Sequence, residues 1–122
     1  MAQPMLLCSA AVLIFGWGVA HLMPTKTVVR GFGDLTADNR RILMMEWIAE
    51  GLTLCFLGVL VALVTATGVD GGWPILWAVA AMLVAMAALS AFTGARTAVL
   101  PMKLCPVVKT VAAGLIVAGT TM

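Results

Sequence analysis

The sequence predicts an all-α integral membrane four-helix bundle with both termini on the non-cytoplasmic side. Three observations carry that prediction. Of 122 residues, 63% are hydrophobic and only 10% charged, with mean hydropathy +1.14; soluble domains run near 25% charged, and so short a soluble chain leaves too much surface exposed to hide this much apolar side chain. The apolar residues fall into four runs, each bounded by proline or glycine. The basic residues all lie between alternate runs, on one side of the threading.

The first helix is expected over residues 5–23, stopped by Pro24, close to the roughly 20 residues that span a hydrocarbon core. No basic residue precedes it, so a cleaved signal peptide is not expected. The second apolar run ends at Gly68. Thr36-Ala-Asp38-Asn39 ahead of it reads as an N-cap and first turn, placing the helix over 37–67. The third helix is expected over 74–92, with Pro74 in its first turn and Thr93-Gly94 ending it. The fourth, over 106–121 from Pro106, is short and needs local thinning of the bilayer or a snorkelling Lys109. Residues 1–122 form a single transmembrane domain.

Lys26, Arg30, Arg40 and Arg41 lie between the first two helices. Arg96 and Lys103 lie between the last two, with Lys109 just beyond. The N-terminal tail, the turn around Asp70 and the C-terminal tail have no Lys or Arg. The positive-inside rule places the basic side in the cytoplasm, as in a bacterial inner membrane, with Trp73 and Trp77 in an outer aromatic belt. Small residues suggest the packing faces: Gly16 and Ala20, Gly51 and Gly58, Ala81, Ala85 and Ala88, Gly114 and Ala118.

One polar constellation interrupts the apolar pattern. Glu46 and Glu50 stand one turn apart at the head of the second run, on one helical face. Antiparallel threading brings His21, near the inner end of the first helix, to a similar depth. A bare charge near the bilayer centre costs about 2.5–3.5 kcal/mol. The nine Leu, Val and Phe residues of 52–64 return about 0.3–0.6 kcal/mol each. The helix inserts, yet its carboxylates call for protonation, a partner or the interface. Two uses remain open for His21, Glu46 and Glu50: an ion-pair layer drawing on Arg40, Arg41 or Lys103, or a working site that holds a proton or the polar end of a lipophilic ligand.

Neither metal nor cofactor is expected. The His and Glu spacing lacks an HExxH pattern, and Met82 and Met86, one turn apart, read as apolar packing more readily than as Cu(I) ligands. Cys8, Cys55 and Cys105 form no CxxC and no expected disulfide. Gly31-Phe-Gly33 is a turn with no strand before it. A net charge of +2 without a basic run gives no nucleic-acid signature.

Gly16-Trp-Gly-Val-Ala-His21-Leu-Met-Pro24 and Met45-Glu46-Trp-Ile-Ala-Glu50-Gly51 resemble the DoxX-like group of small four-helix membrane proteins, over about residues 12–65. That group closes its first helix with glycine and a basic-apolar pair, and carries a glutamate with glycine in its second. Here His21-Leu22 stands where lysine is more usual, and Glu46 or Glu50 matches the glutamate. The long first loop and the outward termini depart from the group. The resemblance implies redox-linked or accessory roles.

The first functional reading is non-catalytic: an accessory or assembly subunit of a larger membrane complex, partnered by lipid and by other subunits or copies of itself. The alternative is a membrane-embedded enzyme, or a protein binding a lipophilic ligand or a proton, that uses the His-Glu-Glu set. The second alternative is a small transporter.

Overall fold

The computed structural model describes residues 2–122, and it is all-α. Helix α1 spans Pro4–Leu22 and begins on a proline, whose missing N–H belongs to a turn that has no intrahelical acceptor anyway. The next stretch, expected as loop, holds a short helix, α2 (Thr25–Gly31). The Thr25 hydroxyl donates to Leu22 O at 2.6 Å, so the chain turns directly from one helix into the other. Helix α3 covers Ala37–Thr67. Thr36 Oγ1 accepts from Asn39 N–H at 3.2 Å, the N-cap its sequence suggests. Gly68 closes the helix at φ 56°, a left-handed conformation suited to glycine. At 1.5 Å per residue the helix is about 46 Å long, so its polar first turns, with Asp38, Arg40 and Arg41, extend past an apolar core about 30 Å thick.

Helix α4 covers Trp73–Phe92, and a single 3-10 turn, Gly94–Arg96, follows it. Helix α5 runs from Leu100 to Thr121, six residues earlier than the expected start at Pro106. Pro101 takes the first-turn place, and Pro106 sits inside the helix, forfeiting one backbone hydrogen bond. At 22 residues α5 is long enough to span without bilayer thinning. Among the described residues, α1, α3, α4 and α5 are long and apolar enough to cross a membrane.

Helix α1 packs on α3 and on α5, and α5 packs on α4, while α3 and α4 touch only lightly. The core comes from one stripe of each helix: Leu7, Ala10 and Ile14; Leu54, Leu57 and Val61; Leu76, Val79 and Leu83; Ala112, Ala113 and Ile116. Large apolar side chains such as Phe15, Phe56, Leu63, Val84 and Leu89 point outward, as lipid-facing residues do.

Glycine sets the α1–α3 contact. A Cβ on Gly18 would lie 2.8 Å from Cys55 N, and one on Gly58 would lie 2.8 Å from Phe15 N. Gly51 receives the Leu22 side chain. Gly51 and Gly58 are thus at the interface the sequence suggests. Gly16, Ala81, Ala85, Ala88 and Gly114 instead face outward, Ala20 is exposed on the side of α1 that lines a cavity, and Gly18 and Gly119 take the close-packing roles on α1 and α5. The spacing of small residues identifies a face but not its direction, because lipid accepts small side chains as readily as a helix does.

The two ends of the bundle differ. Gln3 N–H donates to Gly119 O at 2.7 Å, bringing both chain ends together beside the Gly68–Gly72 turn. Lys26, Arg30, Arg40, Arg41, Arg96 and Lys103 belong to the opposite end, in α2, the starts of α3 and α5, and the 3-10 turn. Lys109 does not join them.

Candidate functional site

The buried stripe of each long helix ends in a polar residue. On α1, Ile14 and Gly18 lead to His21; on α3, Leu57 and Leu54 lead to Glu50; on α4, Leu83 and Ala87 lead to Ser90. Each of these lies about 17 residues, roughly 25 Å, from the end of its helix nearest the chain termini. On α5 the stripe runs Ile116, Ala112, Lys109, Cys105. Lysine starts deeper, but a helical side chain leans toward the helix N-terminus, here the basic end. Its ammonium therefore arrives at the layer the other three occupy.

Lys109 is 2% exposed. Its Nζ donates to Glu50 Oε1 at 2.5 Å and to Ser90 Oγ at 2.8 Å. Lys109 therefore does not snorkel to the loop side, one of the two ways in which a helix starting at Pro106 could have spanned the bilayer. The side chain spans the gap between helices whose backbones do not approach closely, α3 and α5, and joins α4 to both. Glu50, with a side chain about one third exposed, faces His21 through its other oxygen, with Nε2 at 3.7 Å from Oε2. That separation is too long for a hydrogen bond, and among the described residues the buried Nε2 has no hydrogen-bond partner.

Trp47 fixes the imidazole. The rings stack with centroids 3.9 Å apart at 16°, and the Trp47 indole N–H donates to His21 O at 2.9 Å. That bond satisfies a carbonyl left free at the C-terminal turn of α1.

Glu46 is separate from this layer. It is exposed and forms no ion pair among the described residues. Of the expected partners, Arg41 pairs with Asp38 at 3.5 Å with both side chains largely exposed, while Arg40 and Lys103 pair with no carboxylate among the described residues. The structure thus brings His21 and Glu50 together, leaves Glu46 out, and adds Lys109 and Ser90. Lys109 stands out in the sequence as the one basic residue within an apolar run. The sequence gives sidedness more readily than depth, and the early start of α5 is what puts position 109 about two and a half turns inside.

An apolar cavity of about 490 Å³ adjoins the layer. Trp17, Ala20 and His21 of α1, Trp47 of α3, Val28 of α2 and Cys105 of α5 line it, and the Val99–Met102 segment closes its basic end. The imidazole is where the polar layer and the cavity meet. Among the described residues, no group of three or more His, Cys, Asp or Glu side chains is placed to hold a metal ion. The lining therefore suits an apolar body that presents one polar end to His21.

Compared with known proteins, the chain matches no family model, no curated protein and no solved structure, so its resemblance to DoxX-like proteins stands on the short motifs of residues 12–65 alone.

Proposed function

We propose that this chain is a small multi-pass membrane protein that binds a lipophilic molecule by its polar end, with His21 as the contact and the Glu50–Lys109 pair setting the charge behind it. One observation carries the reading: the polar layer opens at His21 onto a cavity that is otherwise apolar. Ligand sites have this composition, an apolar lining with a few convergent polar groups, and typical volumes of about 300–1,000 Å³. The pairing of Glu50 with Lys109 leaves little net charge beside the cavity, which suits a neutral ligand drawn from the bilayer. In this proposal the basic end faces the cytoplasm, so the cavity opens in the inner leaflet.

The test is extraction of the protein from its native membrane in polymer nanodiscs, followed by mass spectrometry of the lipid it carries. Ala20→Trp, which fills the cavity from α1, should remove a species that the unaltered protein retains, and His21→Ala should reduce it. Identical lipid profiles in all three, with helicity unchanged by circular dichroism, would overturn the reading.

A second reading, an accessory subunit of a larger complex, has its own observation. Ala81, Gly114 and Ala118 lie along an outward groove between α4 and α5, and Gly114 has no neighbour that accounts for a glycine in mid-helix. Larger partners recovered with the protein from native membrane support it; a monodisperse single species counts against it.

A further inference from the structure

The short helix α2 divides into two faces. Thr25, Val28 and Val29 fall within about one third of its circumference and are buried or half-buried. Val28 lines the cavity, and the helix packs on α3. Lys26, Thr27, Arg30 and Gly31 are exposed on the other face. Lys26 and Arg30, at i and i+4, project from it side by side. Met23 and Phe32 bracket the helix and are 80% and 59% exposed.

Depth identifies what this face meets. Helix α1 is about 28 Å long, close to the thickness of the hydrocarbon core. The chain turns at Thr25 directly from α1 into α2, so α2 lies at the level of the lipid headgroups. Other cations reach that level. Lys103 stands about 27 Å along α5 from Thr121, and its side chain leans further toward the basic end. Arg96 follows the end of α4 and holds its guanidinium 5.9 Å from the centre of the exposed Phe92 ring. Arg40 and Arg41 stand farther out on α3. Three carboxylates share this end with the six cations. Asp38 pairs with Arg41, while Asp34 and Glu46 are exposed and in no ion pair among the described residues. Lys26, Arg30, Arg96 and Lys103 likewise pair with no carboxylate among the described residues.

We propose that the outer face of α2, with Lys103 and Arg96 at the same level, binds the headgroups of anionic phospholipids. Unpaired cations at headgroup depth attract negatively charged lipid. Met23 and Phe32 beside them offer contact to the acyl chains below, which a soluble anion would not use. This surface lies outside the cavity, and the proposal does not depend on the cavity's ligand.

The experiment reconstitutes the full chain in nanodiscs holding equal amounts of phosphatidylglycerol and phosphatidylcholine with matched chains. Native mass spectrometry then counts the lipids that stay attached. Phosphatidylglycerol should be retained about fivefold over phosphatidylcholine. Replacing both Lys26→Gln and Arg30→Gln should lower that ratio at least about twofold, while Lys26→Arg with Arg30→Lys should keep it, because charge sets the attraction. Equal retention of the two lipids, or a ratio unmoved by the glutamine pair, overturns the proposal. Inorganic phosphate should displace no more phosphatidylglycerol than chloride does at the same ionic strength; selective displacement would mark a soluble-phosphate site and overturn the lipid assignment. Ala20→Trp should leave the ratio unchanged. If that substitution equalises the two lipids, the anionic species sits in the cavity and the surface proposal fails. If the ratio persists while the lipid profile from native membrane is indifferent to Ala20→Trp and His21→Ala, the surface proposal stands and the cavity reading fails alone.

Discussion

Lys109 and Glu50 share a hydrogen bond but not an environment. The lysine is 2% exposed, and the glutamate side chain is about one third exposed. Removing either partner should therefore have unequal effects. Glu50→Leu strands an ammonium that keeps only Ser90 and should destabilise the bundle by about 3–5 kcal/mol. Lys109→Met leaves a carboxylate that is already about one third exposed, and should cost less, about 1–3 kcal/mol. The double replacement should recover most of the loss, since a packed apolar pair of similar size matches a buried ion pair. Unfolding of the four proteins in mixed micelles, followed by tryptophan fluorescence, gives the cycle; equal single losses, or additive ones, would contradict this account. Glu46→Gln belongs to the same series as a control and should shift stability by less than about 0.5 kcal/mol.

The helices show what a sequence of this kind reveals and what it conceals. All four long helices are legible from apolar runs and breakers, and Thr36 and Gly68 mark the ends of α3 with no need for tertiary information. Helix α2 is hidden because seven residues with two basic side chains and two adjacent valines carry too little periodicity to stand out in a loop. The start of α5 is hidden because two prolines five residues apart both satisfy the first-turn rule, and only the completed helix shows which one occupies it. The site is half legible: Glu50 and His21 follow from threading, but their link to Lys109 depends on the true start of α5.

The glycines separate by the same logic and give a prediction at this scale. Gly18→Ala and Gly58→Ala each press a methyl against backbone nitrogen at 2.8 Å and should cost about 1–3 kcal/mol. Gly16→Ala and Gly114→Ala meet open space and should be neutral or stabilise by up to about 1 kcal/mol through helix propensity. Thermal melts in detergent distinguish the pairs; a large loss at Gly114 in native membrane but not in detergent would point to a partner helix in the α4–α5 groove.

For the whole molecule the testable quantity is orientation. Chain ends and the Asp70 turn share one end of the bundle, and six of the seven Lys and Arg residues share the other. Reporter fusions at residue 122 should read as non-cytoplasmic, and a fusion after Gly33 as cytoplasmic. Adding several lysines to the N-terminal tail should weaken that preference or invert it, since the bias is set by loops near the membrane. A cytoplasmic C-terminus in the unaltered protein would reverse the assignment and move the cavity to the outer leaflet.

The ion pair also orders the protein's assembly in time. Glu50 enters the bilayer with α3, and its counter-charge arrives 59 residues later on α5, the fourth of the long helices to be made. Until then the carboxylate lacks its ammonium, and α3 and α4, which touch only lightly, have no Lys109 to join them. Synthesis of α5 and closure of the Glu50–Lys109–Ser90 layer become a single event. A chain interrupted before α5 would keep an unpaired acid in its membrane segment, a chemical mark that Lys109 erases.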